Sequence, residues 1–142
     1  MFRSKRRQIV TPQSEHLKLV GTLAMLWGNH QFDHPPIENK SMISGMGLHD
    51  RGYGYLDNSP IGGMTAEEWL PIARGGFNMP CSDVVADAIV KYHIRRLASS
   101  DPSETRQPLT VEFSQAIDNY LDQHHLSKIL FDRMDRITDL LD

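Results

Sequence analysis

A single cysteine, Cys81, is the whole thiol complement of 142 residues, which excludes a disulfide framework and any zinc site built on cysteine. No apolar run approaches the roughly 18 residues that a membrane span needs. Basic charge is not in excess either. Fifteen Lys+Arg face 18 Asp+Glu for a formal charge of −3, whereas a dedicated nucleic-acid binder ordinarily carries a basic surplus or stripe. The start, from Met1 to Arg7, is basic, but Gln8 to Glu15 is no apolar signal core. Together these absences predict a reduced, cytoplasmic protein with no membrane segment and no nucleic-acid partner. Strand signals are also scarce after residue 13, which points to an all-α class.

What is present suits one folded domain. Hydrophobic residues make up 39% and charged residues 23% of the chain, ordinary values for a globular protein. Residues 1–13 read as a lead-in with a short strand at most, and residues 14–142 as one helical domain of five to six helices. Ser14 looks like an N-cap, followed at helical spacing by Leu17, Leu19, Val20, Leu23, Ala24, Leu26 and Trp27. A second helix is expected from near Pro36 to His49-Asp50, with Gly45 and Gly47 permitting close packing. Residues 51–64 are glycine-rich and irregular. Thr65-Ala66-Glu67-Glu68 is a capping-box pattern that opens a short helix, which Pro71 is expected to shorten, and Gly75-Gly76 reads as loop. A strong helix follows from Ser82 to Ala98. Thr110 to Leu141 is helical again, with a break near Gln123–His125. Trp27, Trp69 and the methionines at 42, 46, 64, 79 and 134 are expected to fill the core.

The residues with chemistry sit on these apolar segments. His49-Asp50 places a neutral imidazole beside a carboxylate, a pair that binds one hard or borderline cation jointly. Taken alone, the dipeptide reads as a helix C-cap whose histidine bonds free carbonyls. His16, His93 and Asp135 each lie in an amphipathic helix beside large apolar residues, where an unpaired ionisable group is costly. Four such segments can bring their ligands together in the core of a bundle. The bland alternatives are a half-exposed first-turn residue for His16, a backbone-bonded core histidine for His93 and a solvated salt-bridged face for Asp135. His30 and His34 flank a proline loop and read as surface groups. His124 and His125 read as structural or exposed. Arg51 directly follows the pair, Arg96 shares a face with His93, and Lys91 does not clearly do so.

The order His16, then His49-Asp50, then Asp135 resembles the signature of the HD-domain metal-dependent phosphohydrolase superfamily. The phrase from His49 to Asp57, followed by Pro60, is similar to an uncharacterised bacterial branch of HD-like proteins. The resemblance covers roughly residues 14–141 and implies an all-α fold. It also implies one or two divalent transition-metal ions (Mn, Fe, Co, Ni or Zn) held by His16, His49, Asp50 and Asp135. His93 would hold a second metal or contact substrate. The implied activity is hydrolysis of a small phosphorylated molecule by metal-activated water, with Asp50 in the reacting centre and Arg51 or Arg96 steadying negative charge. A homo-oligomer is compatible with it. Two features depart from the family pattern: Tyr53 stands where a lysine is usual, and no histidine lies between His49 and His93. Glu67, Glu68 or Asp57 are the acidic groups available to replace that histidine, and Asp132 is an alternative to Asp135. The same ligand set serves the diiron oxygenases of the superfamily, and a degenerate domain would act as a binding or regulatory module.

Overall fold

A computed structural model describes residues 2–3, 8–54, 57, 64–101 and 103–141. It is all-helical apart from a two-residue antiparallel pairing of β1 (Phe2–Arg3) with β2 (Val10–Thr11), Phe2 opposite Thr11. Among the described residues six helices follow: α1 (Gln13–Leu26), α2 (Asn39–Gly47), α3 (Ala66–Asn78), α4 (Val84–Ser99), α5 (Gln107–Gln123) and α6 (Lys128–Leu141). Lys5-Arg6-Arg7, Tyr55 and the segment 58–63 with Pro60 lie outside the described residues.

α4 is the central element. It packs against α2, α5, α6 and α3, while α1 lies on α2. Residues Ala86 to Ile94 are all buried, a helix enclosed on every side rather than on one stripe. Around it Met42 and Met46 from α2, Phe77 from α3, Phe113 from α5, and Phe131 and Met134 from α6 complete the core. Phe77 and Phe113 stack with ring centroids 4.1 Å apart. Trp69 is buried and Trp27 packs partly buried against the core, but Met79 is exposed, as are Leu19, Leu23 and Leu26 on the outer face of α1. No helix among the described residues is long and apolar enough to cross a membrane.

Several boundaries differ from the sequence reading. α1 is capped at Pro12, not Ser14, and Pro12 makes no side-chain cap bond. The first N–H of the helix, on Gln13, donates instead to both oxygens of Asp57, at 2.9 Å each, so the cap comes from a residue 44 positions away. α2 begins at Asn39 and ends at Gly47, which leaves His49-Asp50 in the following turn. α3 continues through Pro71 and Gly75-Gly76. Pro71 is exposed, and the carbonyl it leaves unbonded belongs to exposed Glu67, where water can satisfy it. α4 starts at Val84, two residues after the expected start at Ser82, because Asp83 caps it, accepting from the N–H groups of Val85 and Ala86. The expected break near residues 123–125 is a Schellman end: His125 takes φ 55°, and Leu126 N–H bonds Leu121 O at 2.8 Å.

Candidate metal centre

The turn that follows α2 carries the site. Gly52 there has φ +90°, and a Cβ on it would lie 2.9 Å from Gly76 Cα. Reciprocally, a Cβ on Gly76 would lie 2.4 Å from the carbonyl oxygen of Arg51. Two glycines therefore let the 48–53 turn press directly onto α3. The approach is tied by Arg51, whose Nε donates to Gly76 O at 2.8 Å. In the same register Gly45 backs onto Ile89 of α4, so closely that a Cβ on it would lie 2.8 Å from the Ile89 side chain. His49 and Asp50 are thereby fixed between α1 and α4, fully buried at 0% and 5% exposure.

Three donors converge. His16 Nε2 lies 3.1 Å from His49 Nε2 and 3.7 Å from Asp50 Oδ2, and His49 Nε2 lies 3.2 Å from Asp50 Oδ2. One ligand atom from each of the three falls within 4.8 Å of the other two. The far nitrogen of His49, Nδ1, is 2.6 Å from Met46 O. A carbonyl can only accept, so Nδ1 carries the proton and, in the neutral ring, Nε2 turns its lone pair toward His16 and Asp50. This is the arrangement by which metal-binding histidines are commonly oriented. Burial pushes the Asp50 carboxyl up, but the adjoining His49 and His93 rings outweigh it and hold the group well below the usual carboxylate range: His93 Nε2 donates to it, and either ring favours the anion further when protonated. Asp50 is thus an anion in a nearly closed site, the form a cation requires.

His93 joins from α4, its Nε2 3.0 Å from Asp50 Oδ1 and its ring 4.5 Å from that of His49. Gln13, which the sequence reading missed, donates from its side-chain amide to Asp50 Oδ2. Its signal was faint: a polar residue before an apolar helix looks like a surface position, yet Gln13 is 4% exposed. The donor set of two imidazoles and a carboxylate suits a borderline divalent ion such as zinc or another late transition metal.

The remaining predicted residues lie elsewhere. Asp135 does not reach the cluster; its carboxylate accepts from Arg96 Nη1 at 2.6 Å and from Arg95 Nη2 at 2.7 Å. Asp132, its alternative, bonds the Tyr92 hydroxyl at 3.1 Å. Arg51 is buried against Asp87 and the Gly76 and Phe77 carbonyls, with Lys91 3.3 Å from the same aspartate. That turns Arg51 and Lys91 into a buried ion cluster that braces the turn. Arg96 faces His93 and α6. Asp57 caps α1, Glu68 closes the capping box with Thr65 at 2.8 Å, and Glu67 meets Thr105. His30 and His34 are exposed, His125 is exposed, and the His124 ring lies tilted against Tyr120 with centroids 4.4 Å apart. Compared with known proteins, the chain matches no family model, and no curated protein or solved structure is significantly similar to it.

Proposed function

We propose that this chain is a metal-dependent phosphohydrolase of HD-domain type, with a divalent transition metal held by His16, His49 and Asp50. The observation that carries the reading is the convergence of those three donors, from α1 and from the turn after α2, within 4.8 Å of one another. A metal bound there would lower the pKa of a water molecule into the neutral range and offset phosphate charge. The protein's own groups hold the arrangement. Met46 O fixes the His49 ring, and Gln13 and His93 fix the two oxygens of Asp50. His16 is the open side of the cluster, its side chain 12% exposed against 0% for His49 and 6% for Asp50, so a small substrate would approach over His16.

A second reading is favoured by one specific observation. Arg51 and Arg96, the cations expected to meet a phosphate, are both engaged within the protein. A site that binds metal without turnover, serving a binding or regulatory module, fits that engagement. One experiment separates the readings. The protein is purified without chelator or affinity metal, its metal content is measured, and Mn²⁺- or Co²⁺-dependent hydrolysis of bis(p-nitrophenyl) phosphate is assayed beside His49→Ala and Asp50→Ala. Metal with turnover, both lost in the variants, supports the phosphohydrolase. Metal without turnover supports the module. No bound metal and no uptake of Co²⁺ would sink both.

A further inference from the structure

Arg96 reaches from α4 to α6 and is held there by several bonds. Its Nη1 donates to Asp135 Oδ1 at 2.6 Å, to Asp135 O at 3.1 Å and to Thr138 Oγ1 at 3.3 Å, and its Nε lies 3.0 Å from Asp139. From this anchored position Nη2 lies 3.0 Å from His93 Nδ1. A guanidinium has only donors, so His93 Nδ1 must be the acceptor. The proton of the neutral ring is then on Nε2, which is 3.0 Å from Asp50 Oδ1. The order of donors along the chain Arg96, His93, Asp50 is therefore fixed from one end.

We propose that Arg96, anchored by Asp135, is a positioning residue of the metal centre, acting through His93 to claim Asp50 Oδ1 and leave Oδ2 facing His16 and His49. The inference rests on the metal reading above for its consequence, but its geometric core stands without metal. It gives Asp135 a role distinct from ligation: it holds the arginine that sets the tautomer of the histidine that orients the carboxylate. His93 correspondingly presents an N–H, not a lone pair, to the cluster. A group bonded directly to a ligand, as His93 is to Asp50, is worth about 10–100-fold in metal affinity, which sets the upper limit for Arg96 one bond further out.

The test has two arms on the full-length protein. In the metal-free wild type, long-range ¹H–¹⁵N spectra of histidine-labelled protein, assigned with His93→Gln, report which ring nitrogen of His93 is protonated. Protonated Nε2 is expected, and protonated Nδ1 would overturn the proposal. In the second arm Co²⁺ is titrated into wild type, Arg96→Met, Arg96→Lys and Asp135→Asn, with the d–d spectrum recorded. Arg96→Met is expected to keep one Co²⁺ per chain at lower affinity, by up to about 10–100-fold, with a changed spectrum and a changed His93 tautomer, and Arg96→Lys to recover part of the affinity. Asp135→Asn should retain the ion with a smaller loss; loss of the ion altogether would make Asp135 a ligand and overturn its role as anchor. An unchanged affinity, spectrum and tautomer in Arg96→Met would likewise overturn the proposal. Should Arg96→Met not fold, the wild-type tautomer and Arg96→Lys decide. If wild type takes up no Co²⁺, the metal reading fails, and the His93 tautomer alone decides whether the relay exists.

Discussion

Asp83 shows how one side chain positions the site without touching it. Its carboxylate caps α4, the helix that carries His93 and Arg96, and also accepts the Ser41 hydroxyl of α2 at 2.8 Å. Burial pushes the Asp83 carboxyl up, but the bonds from Ala86 N–H, Ser41 and Val85 N–H outweigh it and leave the group below its usual range. A folded-state pKa below the unfolded one means stability that is present above about pH 4 and is lost as pH falls through the folded value. Asp83→Ala should therefore cost about 1 kcal/mol at pH 7. The gap in thermal midpoint between wild type and variant should shrink between pH 6 and pH 3.5; a gap constant over that range would mean the cap does not depend on its charge. At this scale the sequence was partly readable. His16 and His49-Asp50 stand out because ionisable groups on apolar helices need partners. Gln13 and the Asp57 cap do not, since each is defined by a neighbour 37 to 44 residues away. Asp135 has the right residue type and a motif-like neighbourhood, but its carboxylate pairs with the two arginines across on α4. No spacing rule reveals that choice.

Helix α3 makes the corresponding point for elements, because its two adjacent glycines predict opposite outcomes. A Cβ on Gly75 would meet nothing within 4 Å, whereas one on Gly76 would lie 2.4 Å from the Arg51 carbonyl oxygen and 3.5 Å from its carbon. Gly75→Ala removes unfolded-chain freedom at a helical position, so it should raise stability by about 0.5–1 kcal/mol. Gly76→Ala must push the backbone that follows Asp50 off α3. It should destabilise by about 1–3 kcal/mol and weaken Co²⁺ binding as well. Urea unfolding of the two variants checks both signs; equal effects would mean the turn does not press on α3 as described. The same pair explains a misreading. Gly-Gly in isolation signals a loop, but here it is the smooth face that a helix offers to a close-lying turn. Helix number and order were legible because α5 and α6 carry periodic apolar faces and α4 is rich in apolar residues along its length. The start of α1 was not, because its cap, Asp57, comes from 44 residues away and forms only after packing.

At the scale of the molecule, the candidate metal centre joins segments that the chain keeps far apart. His16 is on α1, His49 and Asp50 are 33 and 34 residues later in the turn after α2, and His93 is a further 43 residues beyond Asp50 on the central helix. The cluster also ties α1, which packs on α2 through buried Val20 and Ala24 and leaves much of its outer apolar face exposed, to the turn after α2. An unfolded chain cannot hold three donors within 4.8 Å, so a cation that binds the native site stabilises the whole fold by mass action. At a free Co²⁺ concentration 100 times its dissociation constant that stabilisation is about 2.7 kcal/mol. Wild type should therefore unfold at higher urea with Co²⁺ than with chelator, with the slope of the transition unchanged, since the surface exposed on unfolding is the same. His49→Ala should unfold identically in the two conditions, which separates binding at the native site from nonspecific salt effects. A Co²⁺ shift that persists in His49→Ala would place the ion elsewhere on the molecule and leave α1 held by packing alone.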